Sequence, residues 1–465
     1  MDIIAVTRHG KVRGRSEGGV AAFLGIPYAA PPFGDHRFRA PAPVTPWDGV
    51  RDAVAFGPTA PKRPYRPPLD RLLPDPDIPG DDCLNLNVWT PGVDEAGLPV
   101  MVWIHGGSLR NGSASLPLYD GRAFARDGVV LVSINYRLGV EGFGVFPDAP
   151  DNRGLLDQIA ALTWVRDNIA GFGGDAGNVT VFGESAGAIS IAALLGSPRA
   201  EGLFHRAVLQ SGPPHTVSRA EGAKTVALMA KELGVPATAA AFAGVGREAL
   251  LDAQVEVTGK GDPISGGPGF QIVTDGDVVP AEPRPPAVEL LLGANLEEYR
   301  LWFVPSGAVD RISGLTLRLA MLKFKIPGRI GRLYRAARPG AKPGEILGAL
   351  ATDLLLRGPV NRLADASAKA YVYEFGWRSP VLSLGACHAL EIGFVFDTLD
   401  RGRELTGPDA PQPLADAMHG AWVEFARTGD PGWAAWDASR PVMVFDGEHD
   451  GVVHAPRQEE LEVWL

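Results

Sequence analysis

Six short apolar runs, rich in β-branched residues and each closed by Gly, Asn or Ser, set the tightest limit on how this chain can fold. They are VMVWIHGG (100–107), VVLVSINY (129–136), VTVFGES (179–185), AVLQSG (207–212), ELLLGAN (289–295) and YVYEF (371–375). Uninterrupted apolar runs of this length fit strands buried on both faces, which is the habit of a parallel sheet. Helical stretches lie between them. In LLDQIAALTWVRDNI (155–169), Leu155, Ile159, Leu162, Val165 and Ile169 recur at three- and four-residue spacing. Strand–helix alternation predicts an α/β fold, a large and mostly parallel sheet with helices on both faces.

Two regions lack the strand rhythm, 215–275 and 300–365, and read as helical insertions over the carboxyl edge of the sheet, where such folds bind ligands. Segment 58–79 carries eight prolines and is expected to be an extended surface loop. The formal charge is −10, and this acidic balance argues against nucleic acid or an anionic membrane as the main partner. Asp2 and the lack of a following apolar stretch argue against a signal peptide, and no run approaches a membrane span. The two cysteines, Cys83 and Cys387, exclude a disulfide framework and a cysteine-based metal site. A cytoplasmic protein is expected.

The pattern G-x-S-x-G occurs twice, as GRSEG (14–18) and GESAG (183–187). Ser16 stands in a polar, charged turn. Ser185 follows the apolar strand VTVF and precedes AGAISIAALLG, a buried helix by composition. Strand–Ser–helix is the order a nucleophile elbow requires, with small residues at Gly183 and Gly187 letting strand and helix approach. The serine N–H then lies at a helix amino end, where a developing oxyanion is favoured. HGGS (105–108) closes an early buried strand, so the N–H groups of Gly107 and Ser108, with that of Ala186, are candidate oxyanion donors. His105 precedes the nucleophile and reads as structural.

Together these segments resemble the type-B carboxylesterases, the cholinesterase and para-nitrobenzyl esterase family. The likeness runs nearly end to end, through GIPYAAPPFGDHRF (25–38), DDCLNLNVWTP (81–91), INYRLG (134–139), GLLDQIAALTWVRDNIAGFGGD (154–175), NVTVFGESAGA (178–188) and WVEFARTGDP (422–431). The resemblance implies one α/β-hydrolase domain over 1–465, with the two insertions forming a cap or regulatory region. It places the family's acid in ANLEEY (294–299) at Glu298, with Glu297 as the competing neighbour because the usual glycine is Tyr299. It places the base in CHALEIGFVF (387–396) at His388. From the residues alone His388, His419, His449 and His454 stay open, and FDGEHDGVVH (445–454) imitates an acid-plus-His tail with Asp446 or Asp450 and His454. The resemblance also implies supporting roles for Glu184 and Ser211, and ion pairs Arg137–Asp157 and Arg37–Asp81.

The implied activity is serine carboxylesterase chemistry on small to medium, largely uncharged esters through a Ser185–Glu298–His388 triad and an acyl-enzyme. Its partners are a small-molecule ester and water, and it calls for no metal or organic cofactor. A triad turned to a special ester or to acyl transfer is the second enzymatic reading. A non-catalytic scaffold on the same fold is the alternative of another class; such relatives commonly lose a triad member, and here all three positions are filled. Secreted relatives close the loop before DDCLNLN with a disulfide, but its first cysteine is replaced by Ala60. The eight prolines are expected to limit the loop's unfolded-state entropy instead. That loop holds Tyr65 and no tryptophan for a quaternary ammonium, which argues against a choline-ester specialist. Cys387, beside the base, reads as a packed residue.

Overall fold

Each of the six runs becomes a strand of a single 13-stranded sheet. A computed structural model describes residues 1–259, 268–282 and 286–464. Its strands are β1 (Asp2–Thr7), β2 (Gly10–Glu17), β3 (Val20–Pro27), β4 (Val50–Asp52), β5 (Asn85–Thr90), β6 (Leu98–Ile104), β7 (Val130–Ile134), β8 (Gly174–Glu184), β9 (Arg206–Gln210), β10 (Val217–Ser218), β11 (Val273–Thr274), β12 (Glu289–Asn295), β13 (Ala370–Phe375), β14 (Pro441–Phe445) and β15 (Gly451–His454). The large sheet runs β1-β2-β3-β5-β7-β6-β8-β9-β12-β13-β14-β15, with β4 on β2, while β10 and β11 pair separately. Neighbours from β7 through β14 are parallel. The amino-terminal strands β1, β2, β3 and β5 and the closing β14–β15 pair are antiparallel. β1 and β2 lie outside the six runs because partial burial leaves a mixed polar and apolar sequence, whereas β5 is buried throughout but carries Asn85, Asn87 and Thr90.

Successive side chains on a strand face opposite ways, and the core divides accordingly. Val100, Val102, Val130, Val132, Val179 and Val181 join one buried cluster, with Leu155, Leu162 and Val165 of the helix Arg153–Asn168. Met101, Trp103, Leu131, Phe182 and Val208 join the other, with Met418, Trp422 and Phe425 of the helix Gln412–Thr428.

Both insertions are mainly helical. The first holds helices Arg219–Leu233, Ala239–Ala243 and Arg247–Thr258, and its residues 260–267 lie outside the described residues. The second runs from Arg300–Phe303 to Gly358–Ala366 and carries its own small core, including Phe303, Leu317, Met321, Ile330 and Leu347.

Two expectations need correction. Arg37 does not meet Asp81: its guanidinium donates to Glu141 at 2.7 and 2.9 Å, and Asp81 pairs with Arg247 at 2.6 Å. The other pair is formed, and it is buried rather than solvated. Arg137 and Asp157 are 1% and 0% exposed, joined by two side-chain hydrogen bonds and one from the Arg137 backbone. The proline-rich segment is also more than a surface loop. Thr59, Ala60, Lys62 and Leu72 are buried, a 3-10 turn spans Leu69–Arg71, and the Lys62 ammonium lies 3.3 Å from a buried Asp75 carboxylate.

Candidate active site

Ser185 sits between β8 and the helix Ala186–Leu195 with φ 53° and ψ −121°, a backbone conformation that non-glycine residues rarely hold. The flanking glycines explain how the turn is reached. A Cβ on Gly187 would lie 2.0 Å from the Ile104 carbonyl oxygen, and one on Gly183 2.6 Å from the same atom. Ser16, by contrast, is paired within the hairpin strand β2 near its end. The Ser185 N–H donates to the Gln210 carbonyl at 2.9 Å, so it is spent on the sheet and is not an oxyanion donor, contrary to expectation.

Gly107 and Ser108 line the same cavity as Ser185. Gly107 has φ +111°, and a Cβ there would meet the Asn111 carbonyl oxygen at 2.2 Å; Ser108 and Leu109 follow with φ 56° and 58°. The Arg110 and Asn111 N–H groups both donate to the Gly107 carbonyl, which fixes the turn. Among the described residues the N–H groups of Gly107 and Ser108 have no protein acceptor. Ala186, as first residue of its helix, has no intrahelical acceptor either. His105 is buried and stacked on Tyr136 at 4.5 Å, and burial lowers its pKa to about 4.

The strand β12 ends at Asn295, and its continuation brings Glu298 against His388. The His388 Nδ1–H donates to Glu298 Oε2 at 2.6 Å. The other carboxylate oxygen of Glu298 accepts from the Ser211 hydroxyl at 2.6 Å and the Asn295 N–H at 2.7 Å. Glu297 turns away toward Arg378 (2.9 Å) and Arg300 (3.4 Å). The ring of Tyr299, in the place of the usual glycine, is seated against Gly348, where any Cβ would collide with it at 2.1 Å. His454 is exposed on the edge strand β15 and does not line this cavity.

The far side of the imidazole differs from expectation. Nε2 lies 2.9 Å from Glu184 Oε1, outside hydrogen-bonding direction, and no Ser185–His388 hydrogen bond occurs among the described residues. Catalytic hydrogen bonds are often loose before substrate arrives, and both residues face one cavity. A Cβ on Gly106 would lie 2.8 Å from Glu184 Oε2, so this glycine leaves room for the carboxylate. Burial alone would lower the His388 pKa, but Glu184 and Glu298 outweigh it and hold the pKa well above 6.5. Burial raises Glu184, with His388 opposing.

Other contributors have no role assigned from the sequence, although Asn295 and Glu391 lie inside the segments ANLEEY and CHALEIGFVF. Trp302, in the first turn of the second insertion, lies 4.8 Å from the His388 ring. The Asn295 side chain donates to the Cys387 carbonyl and to Glu391, tying the acid strand to the histidine loop. Burial pushes Glu391 up to about 8, with Glu184 and Glu298 adding to the shift. Asp75 accepts from Asn111 and the Gly112 N–H, which anchors the proline-rich loop to the glycine turn. Cys387 is buried, and burial raises its thiol pKa. The cavity holds about 250 Å³, and its walls include Leu72, Leu116, Leu118, Leu301, Ile392 and Leu405.

The chain has counterparts among known proteins. The family model described as "Carboxylesterase family" matches residues 2–313. The chain is 39% identical to para-nitrobenzyl esterase of Bacillus subtilis, covering 96% of this chain and 95% of that protein. It is 37% identical to phenmedipham hydrolase of Pseudarthrobacter oxydans, covering 97% and 96%. A solved carboxylesterase of Geobacillus stearothermophilus superposes with a TM-score of 0.87 at 34% identity, covering 99% of this chain and 100% of that one. A serine on a strained elbow in an apolar cavity, an imidazole held by a buried carboxylate and relatives matched over almost their full length lead to one conclusion: the chain belongs to the carboxylesterase family and is a carboxylic ester hydrolase of the α/β-hydrolase fold.

Proposed function

We propose that Ser185, His388 and Glu298 form the catalytic triad of an esterase for small to medium, largely uncharged carboxylic esters. The observation that carries this reading is the buried 2.6 Å Glu298–His388 hydrogen bond beside the serine elbow. Neutral His388 takes the Ser185 proton as Oγ attacks the ester carbonyl, and Glu298 holds the imidazole tautomer and stabilises its cationic form. Gly107, Ser108 and Ala186 donate to the oxyanion, each worth about 3 kcal/mol in comparable sites. The alcohol leaves with the proton from His388, and water then cleaves the acyl-enzyme by the same route. Glu184 and Ser211 support the imidazole and the acid. The cavity volume, just below the usual range for drug-sized ligands, favours small substrates, and its leucine-rich lining favours uncharged ones. The second insertion borders the cavity as a cap through Leu301 and Trp302, while among the described residues the first insertion does not line it.

A cytoplasmic location belongs to the same reading, supported by two buried, unpaired cysteines. No helix among the described residues is long and apolar enough to cross a membrane.

The test is a panel of para-nitrophenyl esters of rising acyl length, with phenmedipham added because of the named relative. Short esters should turn over with an alcohol burst, and Ser185→Ala or His388→Ala should cost roughly four to six orders of magnitude in kcat. His454→Ala should change little. A fluorophosphonate probe should label Ser185; silence on folded protein would favour the scaffold reading.

A further inference from the structure

The chain as a whole is acidic, but one surface reverses that sign. Residues 311–342 hold nine arginines and lysines and no aspartate or glutamate. Arg338 pairs with Glu460 and Lys342 with Asp310. The other seven make no ion pair among the described residues, and Arg318, Lys323, Lys325, Arg329, Arg332 and Arg335 are exposed.

Large apolar side chains stand among these charges. Leu315, Leu319, Leu322 and Phe324 are 66%, 58%, 75% and 44% exposed. On the helix Gly314–Lys323 the three leucines have the four- and three-residue spacing of one face. Leu317, Ala320 and Met321 take the opposite face into the insertion's own core. The outward leucines are therefore surplus to folding, and water around them is unfavourable unless something covers them.

The occupant follows from the charge. A second copy seated on this face through a two-fold axis would set each unpaired cation cluster against its own likeness, with no carboxylate between them. An apolar row flanked by cations, on a helix lying flat on its protein, suits a headgroup layer: phosphates meet the cations, and the apolar row enters the acyl boundary. We infer that the exposed face of residues 314–335 docks this protein on an anionic phospholipid surface, with Leu315, Leu319, Leu322 and Phe324 as the inserted row. This refines the expectation drawn from net charge, which averages over the whole chain. It does not depend on the catalytic reading.

The full-length protein should cosediment with phosphatidylcholine vesicles containing phosphatidylglycerol and not with phosphatidylcholine alone, and salt should weaken the binding. Leu319→Glu with Leu322→Glu, and separately Arg318→Glu with Lys323→Glu, should each weaken partitioning at least about tenfold. Circular dichroism should show both variants folded. Equal sedimentation with both vesicle types, none with either, or binding untouched by both variants would overturn the inference. So would dimers that Leu319→Glu dissociates without vesicle binding, or capture by poly-glutamate in place of vesicles, which would assign the face to a second copy or to an acidic protein.

Discussion

His388 is held between two carboxylates, and only one of them is needed to orient it. Glu298 fixes Nδ1 through a 2.6 Å hydrogen bond, while Glu184 adds negative charge 2.9 Å from Nε2. Negative neighbours favour the imidazolium, and a protonated imidazole cannot accept the serine proton. The acid limb of kcat/KM should therefore lie above the ordinary histidine range, in keeping with the raised pKa of His388. Glu184→Gln removes one anion, lowers the His388 pKa and should move that limb to lower pH. A pH profile of the variant checks this, and an unmoved limb would count against Glu184 as the source of the shift. Ser185 is singled out by its strand–serine–helix context, whereas Glu298 and His388 come only through the family resemblance, because four histidines stay open on the residues alone. Trp302 and the Nε2–Glu184 contact are not legible in the chain, because they depend on how an insertion folds back and how an imidazole turns in a closed cavity.

Elements place the serine through backbone contact, and here substitution acts by steric force. Gly187→Ala would put a methyl 2.0 Å from the Ile104 carbonyl oxygen, and neither backbone can yield without moving the elbow. A loss of about 1–3 kcal/mol in stability is expected from such overpacking, and a fall of about a hundredfold in kcat from displacing Ser185, the proposed nucleophile. Urea unfolding and steady-state kinetics on the same sample check both. The proline-rich segment poses a related problem of anchoring. The side chains of Lys62 and Asp75 are each 2% exposed, the ammonium also donates to the Pro76 carbonyl, and Asp75 holds the turn that carries Gly107. Lys62→Ala leaves a buried carboxylate without its cation and should cost about 3–5 kcal/mol, read as a lowered urea midpoint. Apolar periodicity revealed the central strands and the helix Arg153–Asn168 because burial on both faces or on one stripe leaves that imprint. It could not reveal the Lys62–Asp75 contact, in which two polar residues of a loop look solvated until a partner element covers them.

Across the molecule, the buried apolar residues among those described fall into three clusters rather than one. Two lie on opposite faces of the sheet and share its strands, so neither can open without the other. The third belongs to the second insertion and reaches no central strand. The ends of the insertion join the sheet-face clusters through Leu301, Val360 and Ala364, and between them the helix Gly328–Ala337 is also held by polar contacts, such as Arg338 to Glu460 and the Trp464 N–H to the Tyr334 hydroxyl. Free energy of opening tracks shared apolar burial, so the insertion should open before the sheet. Native-state hydrogen exchange in low urea should show the amides of Leu317, Ala320 and Met321 exchanging through a smaller opening than those of Val102 and Val181. The consequence reaches the site, because Leu301 and Trp302 open the same insertion and wall the cavity beside His388. Esterase activity should then decline at urea concentrations where circular dichroism from the sheet is still native. Coincident loss of activity, insertion protection and sheet signal would mean that the third cluster is cooperative with the other two.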